Sequence, residues 1–179
     1  LDSTDNLVQK GAAYHHQGNF DQAEEVYKKI LKIEQNNFDA LQLLGSLLAQ
    51  VEKYLEALKF LNKALKVKPN DARIQFNKGI VLKELKRFDE ALESYDRAIQ
   101  IEEGYADAYN NRGIVLKELK RLNEALESYD RAIKIESSYS QAYYNRGIIL
   151  QELKRFDEAL SNYNKAIAIN PNYIDAFNN

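Results

Sequence analysis

The chain has 179 residues, with 25 Lys and Arg against 27 Asp and Glu, and a formal net charge of −2. That balance argues against a general nucleic-acid binder, which carries a basic excess. The absence of cysteine removes disulfides, thiolate metal sites and a cysteine nucleophile together.

The opening stretch LDSTDNLVQK has neither the basic nor the apolar region of a signal peptide. No later run approaches the ~18 apolar residues of a membrane-spanning helix. The expectation is a cytoplasmic chain without membrane insertion. The missing initiator methionine suggests an excised domain or a processed chain. Two prolines and seven glycines are too few for a strand-and-turn fold, so composition favours helix throughout. From the first glycine of the pattern onward, a ruler governs the chain: Gly11, Gly45, Gly79, Gly113 and Gly147 recur every 34 residues. Ala23, Ala57, Ala91, Ala125 and Ala159 follow at the same period, and Pro69 and Pro171 lie three periods apart. A fixed period of this length marks a stacked repeat array.

Each interval reads as two helices. In the third, helix A covers about Ala72–Leu85 and helix B about Asp89–Ile101. Lys86–Phe88 makes the tight turn, with Asp89 as the expected N-cap and Glu90 in the first turn. Glu102–Tyr105 ends the unit, where the second interval has Lys68–Asp71 with Pro69, and proline or glycine there stops helix B. The third and fourth intervals are near-copies: 77–102 and 111–136 differ at four of twenty-six positions. Two helices of about thirteen residues are each roughly 20 Å long. One such pair cannot bury its apolar faces alone, so neighbours must stack.

The pattern resembles the tetratricopeptide repeat. The alanine after the turn is present five times, and the helix-B aromatic is Tyr27, Tyr95, Tyr129 and Tyr163, with Leu61 in the second unit. The later small residue is Ala64, Ala98, Ala132 and Ala166, with Ile30 in the first. The resemblance implies an all-α, right-handed superhelical solenoid of antiparallel helix pairs. Its repeats would run 4–37, 38–71, 72–105, 106–139 and 140–173, after a leader of residues 1–3. Residues 174–179 would begin a truncated sixth repeat with Ile174 and Phe177 facing solvent. One departure recurs. The family expects leucine before the glycine and only Leu44 complies, with Lys10, Lys78, Arg112 and Arg146 elsewhere. Their aliphatic stems can cover apolar surface while the charge reaches water.

Chemistry is sparse. His15 and His16 are neighbours pointing about 100° apart on a helix, whereas a helical metal pair needs i, i+4 spacing. Glu102 and Glu103 sit at a helix end with no pocket implied. The single glycines inside helices make no phosphate loop, and no catalytic triad is suggested. The expectation is therefore no enzyme, no cofactor and no metal. Most aromatics fall at repeating core or turn positions, which leaves no nucleic-acid stacking platform.

What remains is the inner face of helix A. Its stripe is Arg73, Asn77, Ile80 and Glu84 in the third unit, at i, i+4, i+7 and i+11. The fourth unit has Asp107, Asn111, Ile114 and Glu118, and the fifth Gln141, Asn145, Ile148 and Glu152. Phe76, Asn110 and Tyr144 flank it, with Lys83 and Lys117 nearby. A carboxamide both donates and accepts, so a column of Asn77, Asn111 and Asn145 can pair with the backbone of an extended peptide. The isoleucines and aromatics would add apolar contact. The column resembles the asparagine ladder of tetratricopeptide domains in protein O-N-acetylglucosamine transferases, which implies peptide or protein-substrate capture. The plain alternative is that the asparagines bond across the stack or to water. The dicarboxylate clamp of chaperone-binding relatives needs a basic residue and an asparagine where Val8 and Ala12, Gln42 and Ser46, or Phe76 and Ile80 stand. It fails in every register. Three readings stay open: a scaffold or adaptor holding a protein or peptide partner in its concave groove, the substrate-recognition arm of a larger enzyme such as a protein O-glycosyltransferase, and a homo-oligomer assembling through its uncapped C-terminal end.

Overall fold

The computed structural model describes residues 3–172, all of whose regular structure is α-helical. The chain divides into two compact units, Leu1–Arg87 and Phe88–Asn179. Unit 1 holds α1 (Thr4–His16), α2 (Phe20–Ile33), α3 (Phe38–Gln50), α4 (Tyr54–Val67) and α5 (Ala72–Glu84). Unit 2 holds α6 (Phe88–Ile101), α7 (Ala106–Glu118), α8 (Leu122–Ile135), α9 (Ser140–Glu152) and α10 (Phe156–Ile169). Within unit 1, α1 pairs with α2 and α3 with α4; within unit 2, α7 pairs with α8 and α9 with α10. Each pair packs on the next, α2 on α3 and α4 on α5, α6 on α7 and α8 on α9. The result is an all-α solenoid of helix pairs. Ile174 and Phe177, with the rest of the expected sixth-repeat start, lie outside the described residues.

The repeating glycine lies where helix A meets helix B. A Cβ placed on Gly113 would sit 2.6 Å from Tyr129 Cε1, and one on Gly147 2.5 Å from Tyr163 Cε1. Gly11 faces Tyr27 in the same way at 2.5 Å, and Gly45 faces Leu61 at 2.9 Å. These values fall well inside van der Waals contact, so the bare backbone lets a large helix-B side chain lie flat against helix A. All three nearest atoms to that Cβ on Gly113 belong to the ring of Tyr129. Tyr27, Tyr95 and Tyr129 are almost wholly buried, as are Ala23, Ala57, Ala91 and Ala125. Small and large residues interdigitate and leave little free volume.

The turns follow the same period. Glu52, Lys86, Lys120 and Lys154 have φ near +60°, and Gly18 occupies that position in the first pair. In each, helix A closes with a backbone bond spanning five residues, such as Arg121 N–H to the Leu116 carbonyl at 2.8 Å. This left-handed closure normally favours glycine. A non-glycine residue there costs roughly 1 kcal/mol, which the packed helices override. Helix B also starts earlier than expected. α6 begins at Phe88, so Asp89 is inside its first turn instead of capping it. In the later pairs the N-cap is Arg121 or Arg155, with no side-chain cap bond. Each arginine instead grips the third helical residue by two bonds, Arg121 to Glu124 and Arg155 to Glu158, all at 2.6–2.7 Å. Asp89 then serves the positive end of the helix dipole, a favourable place for a carboxylate.

Two outcomes follow from this packing. Gly113→Ala should lower stability by about 1–3 kcal/mol through overpacking against Tyr129, although alanine alone would favour the helix by about 1 kcal/mol; urea unfolding measures the sign. The hydroxyl of Tyr27 is buried and has no hydrogen-bond partner among the described residues. Burial pushes this phenol up to about 12. Because the folded value lies above the usual one near 10, the associated stability is complete below pH 10 and is lost as pH rises towards 12. Tyr27→Phe should raise stability by up to about 1 kcal/mol and make the alkaline decline between pH 10 and 12 shallower.

Candidate functional site

The helix-A residues singled out by the sequence are distributed over both units. In unit 1, Arg73 is exposed and its Nη2 donates to Gln42 Oε1 at 2.8 Å. Asn77 is half-buried and its Nδ2 donates to Ser46 Oγ at 3.2 Å. Both bonds run from α5 to α3. Phe76 and Ile80 are half-buried beside them. Lys83 pairs with its neighbour Glu84 at 3.1 Å. His15, at the far end of this unit, shares a hydrogen bond with Gln50 Oε1 at 2.9 Å and sets its ring edge-on to Phe20.

In unit 2 the three asparagines are not equivalent. Asn145 is 9 % exposed and Asn110 only 3 %. The Nδ2 of Asn145 donates to Asn110 Oδ1 at 3.0 Å, and Gln141 Nε2 donates to Asn145 Oδ1 at 3.3 Å. Asn145 is therefore held from both ends of its carboxamide. Asn110, read from the sequence as a residue flanking the groove, lies in the contact between α7 and α9 as its partner. At the edge of this cluster the Tyr139 hydroxyl donates to the Asp107 carboxylate. Burial, and then that carboxylate, pushes the Tyr139 phenol well above its usual range. Asn111 differs. It is half-buried, and its Nδ2 donates to the Asp107 carbonyl of its own helix at 2.9 Å. Its carboxamide oxygen and second N–H remain available in principle, since an amide offers two donors and two acceptor lone pairs. Ile114, Ile148 and Lys117 are half-buried on the same helices. Tyr144 is half-buried with its ring 5.8 Å from that of Tyr163, whose hydroxyl donates to Gln151 Oε1 at 2.7 Å. Glu152 takes the Lys120 ammonium at 2.9 Å.

Two of the basic residues standing where leucine was expected, Arg112 and Arg146, have a role the sequence reading missed. Arg112 Nε donates to Asp96 Oδ1 and its Nη1 to Ser128 Oγ, both at 2.7 Å. Ser128 in turn donates to the Glu124 carbonyl at 2.9 Å. Arg146 repeats the pairing with Asp130 at 2.7 Å. The charge thus does not simply reach water. It ties helix A to helix B of the preceding repeat. A signal was present: Asp96 precedes Arg112, and Asp130 precedes Arg146, by 16 residues each time. Leu44, the apolar exception, has Lys28 at that offset, where an arginine would be repelled. Among the described residues there is no group of three or more metal-ligating side chains. No helix among them is long and apolar enough to cross a membrane.

Three family models, each described as tetratricopeptide repeat, match residues 14–76, 70–136 and 140–173. No curated protein sequence matches the chain. Among solved structures, a crystal structure of MamA protein is 26 % identical over 96 % of this chain and 94 % of its own, with a TM-score of 0.85. MamA 41-end from Desulfovibrio magneticus RS-1 is 20 % identical, covering 97 % of this chain and 98 % of its own, with a TM-score of 0.88. YrrB, described as a TPR protein with an unusual peptide-binding site, is 24 % identical over 96 % and 89 % of the two chains, with a TM-score of 0.79. The latter two likenesses bear on the fold alone.

The contrast between the asparagines is measurable. Asn145→Ala should cost about 1–3 kcal/mol, because it strands the buried carboxamide of Asn110. Asn111→Ala, on a half-exposed helix face, should stay within about 0.5 kcal/mol of the parent. Chemical denaturation of the two variants separates them, and equal midpoints would contradict the assignment.

Proposed function

Because the chain belongs to the tetratricopeptide-repeat family, we propose that it is a protein-interaction module that captures an extended peptide segment on its helix-A face. The observation that supports this most is Asn111, a half-exposed carboxamide with unused donor and acceptor capacity, next to Ile114 on the same helix. An extended peptide presents alternating N–H and C=O groups, and a carboxamide matches one of each. Ile114 and Ile148 add apolar contact, while Tyr144 and Lys117 bias the choice of side chain. Asn145, held by Asn110 and Gln141, braces the helices beside this surface instead of reading the peptide. In unit 1, Asn77, Ile80, Phe76, Arg73 and Lys83 form the corresponding surface by the same reading. The module works by binding and not by catalysis.

The test begins with a pull-down by the intact protein, followed by calorimetric titration of the shortest peptide retained. Asn111→Ala should weaken that peptide about three- to tenfold, the worth of one hydrogen bond, with helicity and melting unchanged. An unaltered Kd in a fully folded variant rejects the carboxamide as reader.

A further inference from the structure

Each residue advances about 100° around a helix. Tyr109 and Arg112 therefore stand one turn apart on the side of α7 opposite Asn111 and Ile114. With Asp96 and Ile99 of α6 and Glu127, Ser128 and Arg131 of α8, they line a cleft of about 250 Å³ inside unit 2. This cleft lies between consecutive helices in the middle of the chain, away from the helix-A face that reads a peptide.

Arg112 is anchored in the cleft but not spent. Its Nε donates to Asp96 Oδ1 and its Nη1 to Ser128 Oγ, while its Nη2 makes no hydrogen bond among the described residues. The buried Ser128 hydroxyl gives its own proton to the Glu124 carbonyl, so its oxygen can only accept from Arg112, and the guanidinium is held in one orientation. A guanidinium carries five N–H donors, and those on the free edge stay open. The exposed Arg131 guanidinium and the half-buried Tyr109 hydroxyl also have no hydrogen-bond or ion-pair partner among the described residues. Glu127 is one turn before Arg131 and exposed, yet the two make no ion pair. Unspent donors from three side chains thus border one cavity.

We propose that this cleft is a carboxylate-binding site that takes an acidic group on a short aliphatic stem. The free edge of Arg112 and the Arg131 guanidinium receive the two carboxylate oxygens, the planar geometry that guanidinium groups match best. The Tyr109 hydroxyl donates to one of those oxygens, and Ile99 lies along the stem. A dianion such as phosphate is disfavoured, because Glu127 and the second oxygen of Asp96 border the same cavity and repel the extra charge. The ligand is either a free small carboxylate or an Asp or Glu side chain of a partner. Because Arg112 is already oriented, little freedom is lost on binding.

The experiment is NMR of the isotope-labelled full chain at mildly acidic pH, where butyrate stays ionised. The arginine Nε–Hε signals are followed as sodium butyrate replaces sodium chloride at constant ionic strength. Arg112 and Arg131 should shift saturably with a Kd of about 1–10 mM. Arg131→Gln and Tyr109→Phe should each weaken binding about three- to tenfold. The melting profile should hold, since Arg131 is exposed and the second variant keeps its ring. Glu127→Gln should tighten binding about twofold, because that carboxylate competes for Arg131. Shifts that stay linear and spread over all the arginines reflect the ion atmosphere only and overturn the proposal. Inorganic phosphate binding more tightly than butyrate overturns the carboxylate assignment as well. A second titration, with a capped Gly-Glu-Gly peptide and its Gln counterpart, separates the sources. A gain over butyrate for the glutamate peptide alone identifies a partner's acidic side chain, and no gain identifies a free small carboxylate.

Discussion

The contact between a bare glycine backbone on helix A and a flat side chain on helix B sets the geometry of every pair in which it is seen. Gly113 admits Tyr129, Gly147 admits Tyr163 and Gly11 admits Tyr27, each at separations a Cβ would forbid. Glycine in a helix interior costs roughly 1 kcal/mol. The offset comes from burying a whole tyrosine ring, which removes far more apolar surface from water than a methyl group would. With the two helices held this close, the three-residue turn between them is forced. That accounts for a left-handed backbone at Lys120 and Lys154, where glycine would be the easier choice.

Once the pairs are fixed, the contacts between them are free to vary in chemistry, and they do. In unit 1 the position before the repeating glycine holds a fully buried Leu44 in the second repeat. Unit 2 uses Arg112 with Asp96 and Arg146 with Asp130. These side chains are only partly withdrawn from water, so each pair adds little net stability. Their directional bonds fix which residues face each other, and Ser128 supplies an acceptor for a second guanidinium donor of Arg112. The carboxamide cluster of Asn110, Asn145 and Gln141 does similar work on the opposite flank.

Near-identity of the third and fourth repeats makes sequence recurrence a poor guide to role. Asn111 and Asn145 occupy one position in the period, yet one faces outward with spare bonding capacity and the other is locked in the stack. The difference comes from residue 110, which is Asn in the fourth repeat where the fifth has Tyr144 and the third Phe76. A single substitution off the stripe changes what the stripe residue does. This is why a shared position in the period did not by itself rank the asparagines.

The sequence by itself determined the period, the helix pairing, the glycine and alanine positions and the family. Each is a local or strictly periodic constraint that repeats five times and so stands out from composition. Helix edges were legible to within a residue, except that Asp89 was taken for a cap because the Arg–Glu grip at helix B depends on side-chain reach and not on residue preference. Only the tertiary structure decided that Gly113 lies against the ring of Tyr129, that Arg112 reaches Asp96, and that Asn145 is satisfied by Asn110. Those three facts join residues 16 or 35 positions apart across packed helices, where the outcome depends on the angle and distance between elements. Propensity and periodicity say which face a side chain is on; the packing of the neighbouring helix says what it meets there.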